Sequence, residues 1–152
     1  EGRYDQPGYV DACGSFAYLV RPGVWAALGG LDEQFSPYGW EDVDFCQRAK
    51  ARGDLCRYVP DAIVFHSGGK IGRRPVFTYE RLKVRNYLLL LRRHTTWLQR
   101  LSCLVCVPVR ALGLMIRLAA QGHAAMFAAH WQGLREGLRA LWDLNAGGAR
   151  KP

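Results

Sequence analysis

The sequence predicts an α/β chain, with short strands in its first half and long helices in its second half. Before residue 67, compact apolar runs are separated by turn residues, a pattern typical of short buried strands. From Thr78 onward, apolar residues recur at helical spacing. With 152 residues, of which 49% are hydrophobic and 22% charged, the chain has the length and composition of one ordinary globular domain.

Three strands and a short helical turn are expected in the first half, apart from its main helix. The strands are predicted at 16–20, 55–58 and 62–65, where apolar runs end at Gly, Pro or Asp residues. The helical turn is predicted at 24–28, and the pair Gly29-Gly30 ends it.

The first long helix is predicted from Glu41 to Arg52. Its start is rich in acids, which the positive end of the helix dipole favours, and Gly53 ends it. Asp44 and Arg48 are four residues apart on this helix, so we expect Asp44 to support the helix rather than to take part in chemistry.

Helices are predicted for the whole second half, at 78–94, 96–120 and 123–143, with Pro108 kinking or restarting the middle one. Apolar residues and arginines alternate along this middle segment, and Trp97 lies at one end. This is the composition of an interfacial membrane helix, although a helix hairpin packed on its own domain with solvated arginines is the alternative. The longest uncharged run is too short to span a bilayer, so we expect no transmembrane helix.

The charge of the chain is positive and uneven. There are 21 Lys and Arg against 13 Asp and Glu, a net charge of +8, and only Glu136 and Asp143 are acidic after residue 80. The expected partners are therefore anionic: lipid headgroups, a sugar nucleotide or a polyprenyl phosphate. No nucleic-acid-binding motif accompanies the charge, so nucleic acid is not an expected partner.

Five scattered cysteines, an odd number, predict reduced thiols in the cytosol rather than a disulfide framework. Cys103 and Cys106 have CxxC spacing but lack a second pair, so we interpret them as small buried residues on an apolar helix.

The segment 39–45, Gly-Trp-Glu-Asp-Val-Asp-Phe, carries the residues most suited to chemistry, and His66 follows Asp42 by 24 positions. A carboxylate can accept a proton from a sugar hydroxyl, an indole can stack on a sugar ring, and an imidazole can bind a divalent metal. After His66 comes a glycine-rich basic loop. Its Lys70, Arg73 and Arg74 can neutralise phosphate, although a solvated surface loop is the alternative.

Together with the flanking segments 29–35 and 58–62, these motifs resemble the C-terminal half of the family 2 inverting glycosyltransferases, especially the rhamnosyl- and galactofuranosyltransferase-like members. The resemblance covers about residues 12 to 94. It implies that residues 1–94 are the acceptor-side half of a GT-A (nucleotide-diphospho-sugar transferase) fold. The helical, amphipathic tail at 95–152 lies outside the resemblance, and its composition is the reason to expect that it associates with membranes. The chain begins at Glu1 rather than Met, and we expect it to be a fragment.

The resemblance also implies a role for each candidate residue. Asp42 is the catalytic base, Glu41 and Trp40 bind the acceptor, and His66 is a ligand of Mn²⁺ or Mg²⁺. Independently of the resemblance, the position of the basic residues Lys70, Arg73 and Arg74 directly after His66 suggests that they face the donor phosphate. The implied activity is transfer of a sugar from a nucleotide-sugar donor to a lipid-linked or polysaccharide acceptor with inversion, in cell-wall or polysaccharide biosynthesis. The implied location is cytoplasmic, peripheral at the inner face of the cell membrane.

The sequence departs from the family pattern in its first 40 residues. It has no Asp-x-Asp motif on a strand there and no nucleotide-binding βαβ unit, so we expect this chain alone to be inactive. Two alternatives stay open. One is a β-1,4-galactosyltransferase-like enzyme, which also carries an acidic Trp-Gly-Glu-Asp-type loop; the other is a non-catalytic basic module that associates with membranes or acts as a scaffold.

Overall fold

The computed structural model describes residues 5–37, 39–66 and 76–142. They form five α-helices, one two-stranded sheet and a single 3₁₀ turn at Glu33–Phe35. In chain order the elements are β1 (Gly8–Val10), α1 (Pro22–Leu28), α2 (Glu41–Ala51), β2 (Cys56–Tyr58), α3 (Val76–His94), α4 (Trp97–Ala120) and α5 (Ala124–Trp142). The chain divides into two compact units, Glu1–Gly72 and Arg73–Pro152. The sequence predicts a boundary between residues 94 and 95, where the catalytic domain would end and the helical tail begin. This boundary stays a prediction.

The predicted α/β fold, the acceptor-side half of a GT-A domain, is wrong, because the described residues are mostly helical. Their sheet consists of β1 and β2, which run antiparallel with Gly8 opposite Tyr58 and Val10 opposite Cys56. The predicted strands at 16–20 and 62–65 are absent from the described part of the chain. A strand needs a neighbour to take up its backbone hydrogen bonds, and these segments are irregular, with Leu19 and Phe65 almost fully exposed.

The predicted helices are confirmed, each within two residues at both ends. Local signals account for this agreement. Pro22 begins α1, Gly29 ends it with a φ of 70°, and the Thr96 side chain accepts a hydrogen bond from the backbone of Gln99 in a capping box that begins α4. The expected interruption at Pro108 is not a break, since α4 continues through it as one helix.

The core of the first unit surrounds α2. Phe45 lies with its ring centroid 5.4 Å from that of Trp25 and 6.4 Å from that of Tyr18. Asp44 is fully buried, and its Oδ2 accepts a hydrogen bond from Nε of Arg48 at 2.8 Å. The same guanidinium donates to the carbonyl oxygens of Leu28 at 2.8 Å and Gly30 at 2.9 Å, which ties α2 to the end of α1. The predicted structural role of Asp44 is therefore confirmed.

Three cysteines of the first unit lie close to one another. The backbone N–H of Cys13 donates to Sγ of Cys46 at 3.4 Å. Burial raises the pKa of the Cys13 thiol, and burial together with hydrogen bonding to Cys46 raises the pKa of Cys56 to about 12. These two thiols therefore stay protonated at neutral pH and are poor nucleophiles.

The second unit is built on the packing of α3 against α5. Leu82, Leu88 and Leu89 of α3 are buried. At Gly133 an added Cβ would lie 2.4 Å from the carbonyl oxygen of Arg81, and at Gly137 it would lie 2.5 Å from Cδ1 of Leu88. The two helices therefore approach each other so closely that only glycine fits at these positions.

The helix α4 is mostly exposed. Leu118 is its buried residue, whereas Cys103 is half-buried and Cys106 is exposed. The expectation that the CxxC pair is buried is therefore wrong for Cys106, because the turn of α4 that carries it is not covered.

Candidate functional site

The acidic segment lies at the N-terminus of α2, as its sequence predicts, but with an unusual backbone. Trp40 precedes the helix with φ 74° and ψ 1°, in the left-handed region. Its carbonyl oxygen accepts the N–H of Asp44 at 2.9 Å, which closes the first turn of the helix. A bulky residue in this region costs about 1–3 kcal/mol, and such strain is concentrated at functional sites in proteins.

The carboxylate of Asp42 is held by two backbone donors. Its Oδ2 accepts a hydrogen bond from the N–H of Ser15 at 3.0 Å, and its Oδ1 accepts one from the N–H of Val43 at 2.8 Å. Asp42 is half-buried, so solvent still reaches part of the side chain. The carboxylate is therefore oriented without being sealed from a substrate.

The neighbouring acid, Glu41, has an enclosed oxygen that no hydrogen bond satisfies. Its Oε2 is buried and has no hydrogen-bond partner among the described residues. The phenol of Tyr18 shares these surroundings: burial raises its pKa, and the charges of Cys46, Asp42 and Glu41 raise it further. A buried carboxylate oxygen without a donor is costly unless a ligand hydroxyl or water reaches it.

His66 lies against the same loop that holds Asp42. Its ring centroid is 5.5 Å from that of Phe16, with the two planes tilted by 44°, and the histidine is exposed. Ser15 and Phe16 are consecutive residues, so one turn of chain contacts both the predicted base and the predicted metal ligand. Asp42 and His66 therefore both contact loop 14–17, although 24 positions separate them in the sequence.

His66 is the predicted metal ligand of this chain. The described ranges contain no group of three His, Cys, Asp or Glu side chains arranged to hold a metal. One imidazole does not make a metal site, so no step of the reaction below is assigned to a metal held by this chain alone.

The three predicted phosphate-binding residues, Lys70, Arg73 and Arg74, lie outside the described residues. Their role stays a prediction.

A shallow surface pocket elsewhere in the first unit includes none of the predicted site residues. Tyr9, Val10, Lys50 and Leu55 are among the residues that line it. At its edge, Nζ of Lys50 bonds to Oδ1 of Asp11 at 2.5 Å, and this bond lowers the pKa of the exposed Asp11 carboxyl. The contact between Lys50 and Asp11 is an ordinary surface ion pair.

The sequence prediction missed three contributors to the site: Ser15, Phe16 and Tyr18. A serine after Gly14 is a recognisable turn signal, but it does not reveal which distant carboxylate its N–H will meet. The left-handed conformation of Trp40 was also missed, because tryptophan is not a residue that indicates a positive φ.

Comparison with protein-family models, with curated proteins and with solved structures finds no match for this chain.

Proposed function

We propose that this chain forms the acceptor side of an inverting glycosyltransferase. The enzyme would transfer a hexose or deoxyhexose from a nucleotide sugar to a lipid-linked or polysaccharide acceptor. The observation that carries the proposal is loop 14–17, which contacts Asp42 through Ser15 and His66 through Phe16. The support for this function comes from the site and from the resemblance of its motifs to those of the family 2 glycosyltransferases, not from a GT-A fold.

In the proposed reaction Asp42 is the general base. It accepts the proton of an acceptor hydroxyl while that oxygen attacks the anomeric carbon from the face opposite the nucleotide. The bond from the acceptor oxygen to this carbon forms as the bond to the diphosphate oxygen breaks, so the configuration inverts in one displacement. The hydrogen bond from Ser15 supports this role, since it fixes the direction of the carboxylate before the acceptor arrives.

Glu41 and Trp40 would bind the acceptor beside this base. The unsatisfied Oε2 of Glu41 is enclosed, so it could accept a hydrogen bond from a second sugar hydroxyl only after the side chain turns toward the acceptor. The indole of Trp40 can stack on the apolar face of a sugar ring. The left-handed backbone of Trp40 determines the position of this indole. Together these residues select a polyhydroxylated acceptor.

The proposed cofactor is Mn²⁺ or Mg²⁺, as the resemblance implies, and such an ion would supply positive charge for the diphosphate. His66 would be the ligand from this chain, and Lys70, Arg73 and Arg74 would add positive charge near the same phosphates. In the complete enzyme, His66→Ala should raise the Mn²⁺ concentration needed for half-maximal rate by about 10–100-fold. His123→Ala, an exposed histidine between α4 and α5, is the matched control and should leave that concentration unchanged. An unchanged requirement in His66→Ala would remove the metal role.

The central test is Asp42→Asn in the complete enzyme. Removing the base should lower turnover by about 10²–10⁴ while the affinity for the nucleotide sugar stays the same. The melting temperature should fall by only a few degrees, because the Asn amide can accept one of the two backbone hydrogen bonds that the Asp42 carboxylate accepts. Asp61→Asn, at an exposed position outside the site, is the control and should keep the normal rate. A near-normal rate in Asp42→Asn would contradict the proposal and point to Glu41 as the base. If the unmodified enzyme binds no nucleotide sugar, the chain is instead a non-catalytic module.

The proposed acceptor also suggests where the enzyme works. A polyprenyl-linked sugar is presented at a membrane surface, so a cytoplasmic enzyme would have to act at the inner face of the cell membrane. This chain alone is expected to be inactive, because the resemblance covers the acceptor side only.

A further inference from the structure

The helix α4 (Trp97–Ala120) exposes far more apolar surface than a globular protein normally leaves in water. Its most apolar stretch of 18 residues has a mean hydropathy of 1.9, and only 6% of that stretch is buried. Contiguous apolar patches of this kind mark interaction surfaces. By length and composition it is the one helix of the described residues that could cross a membrane.

The apolar residues of α4 form a continuous stripe. Apart from the neighbours Leu104 and Val105, successive members are three, four or seven residues apart, so they lie on one side of the helix. We define the apolar stripe as Leu98, Leu101, Leu104, Val105, Leu112 and Ile116; each is between 54% and 71% exposed. Trp97, 70% exposed, lies at the N-terminal end of this stripe.

A second, polar line runs along a different side of the same helix. Its members are also three, four or seven residues apart and are all exposed; we define the basic line as Ser102, Cys106, Arg110, Gly113 and Arg117. The buried Leu118 lies on a third side of α4, and α4 also contacts α5. The helix therefore has a packed side, a basic side and an uncovered apolar side.

This division decides between the two ways in which such a helix can meet a bilayer. If α4 spanned the membrane, Arg110 would lie near its centre, where a charged side chain carries a large free-energy cost. If α4 lies in the plane of the surface, the apolar stripe enters the acyl region while Arg110 and Arg117 stay among the headgroups. The indole of Trp97 also suits the headgroup level.

We infer that α4 is an in-plane membrane anchor, and that its partner is the surface of an anionic bilayer. Charge complementarity selects this partner over a second copy of the chain, which is itself basic with a net charge of +8. Arg92 and Arg93 in the last turn of α3, with Arg100 in the first turns of α4, add to the positive charge near the N-terminal end of the anchor. The inference does not depend on the proposed transferase chemistry and stands if that proposal fails.

The first test measures binding of the full chain to phosphatidylcholine vesicles with and without phosphatidylglycerol. Leu104→Asn/Leu112→Asn should lower the affinity at least about tenfold, because two leucines no longer enter the acyl region. Ser102→Asn/Gly113→Asn is the matched control, neutral and on the same helix, and an added Cβ at Gly113 meets no atom within 4 Å. It should bind as the unmodified chain does.

The arginines test the electrostatic part of the same inference. Arg110→Gln/Arg117→Gln should lower the affinity for vesicles with phosphatidylglycerol about tenfold. Added salt should weaken this binding, because it screens the charges. An affinity that is equal for both kinds of vesicle would overturn the anionic preference.

The second test distinguishes an in-plane helix from a spanning one. On vesicle-bound chain, Cys106 of the basic line should stay reactive toward a membrane-impermeant maleimide, while a cysteine at position 104 (Leu104→Cys) should be protected, as peptide mass spectrometry can measure. Protection of both would mean that α4 spans the bilayer, and protection of neither would mean that it does not insert. No binding to either vesicle, or an oligomer in solution that Leu104→Asn/Leu112→Asn dissociates, would also overturn the inference.

Discussion

At the scale of single residues, two acids on one helix turn have separate tasks. Asp42 is half-buried and accepts a hydrogen bond from the distant Ser15, whereas Asp44 is fully buried and paired with Arg48. The four-residue spacing predicts the second pair correctly, because both partners belong to the same helix. No such local rule predicts the hydrogen bond between Asp42 and Ser15, because these residues are 27 positions apart in the sequence.

Asp44→Ala should lower the free energy of unfolding by about 3 kcal/mol, because the mutation leaves Arg48 without its buried counter-charge. Urea denaturation measures this loss. The control is Asp11→Ala, which removes an exposed ion pair with Lys50 and should leave stability unchanged within error. Equal effects of the two substitutions would show that Asp44 is not buried with its partner.

Trp40 provides a direct test of the left-handed backbone at the site. Trp40→Gly and Trp40→Ala both remove the indole, but only glycine adopts a φ near 74° without strain. The glycine variant should therefore be more stable than the alanine variant by about 1 kcal/mol in thermal or urea unfolding.

Both Trp40 variants should raise KM for the acceptor in the complete enzyme, since neither can stack on a sugar. An alanine variant as stable as the glycine variant would contradict the strained conformation. A normal acceptor KM in both would remove Trp40 from the acceptor site.

At the scale of elements, the close contact between α3 and α5 is the feature that holds the second unit. Gly133 and Gly137 are four residues apart and face Arg81 and Leu88 of α3 at distances that exclude a methyl group. The nearby ion pair between Arg81 and Glu136, at 3.2 Å, joins the same two helices. The spacing of the glycines is visible in the sequence, but the helix that they contact is not.

Gly133→Ala should lower the free energy of unfolding by about 1–3 kcal/mol, because the added methyl group forces α5 away from α3. Gly113→Ala, on the exposed side of α4, is the matched control. It should raise stability by about 0.5–1 kcal/mol, since alanine favours a helix and meets no neighbour there. A stabilising effect at both positions would mean that the two helices do not approach as described.

At the scale of the whole molecule, the candidate catalytic residues and most of the positive charge lie in different parts of the chain. The acidic segment and His66 lie in the first compact unit, Glu1–Gly72, while most of the arginines and the exposed apolar helix lie in the second, Arg73–Pro152. The proposed transferase site and the proposed membrane anchor are therefore separable by mutation. Substitutions in α4 should alter vesicle binding without altering the affinity for a nucleotide sugar in solution.

The sequence by itself determined the helices of this protein. Glycines, prolines and a capping box fix where helices begin and end, and helical hydrogen bonds join residues four apart, so a local pattern is sufficient to predict them. The sequence and its resemblance also selected Asp42, Glu41, Trp40 and His66 as the candidate site.

Tertiary structure decided everything that depends on a distant partner. The segments 16–20 and 62–65 have strand-like composition but form no strand among the described residues, since a strand exists only with a neighbour. Loop 14–17 contacts both Asp42 and His66, and α4 rather than α3 or α5 leaves its apolar side exposed. Composition pointed to α4 but left a packed helix hairpin as the alternative, and it did not predict the other contacts. Burial and pairing depend on which surfaces meet in space and not on the order of residues along the chain.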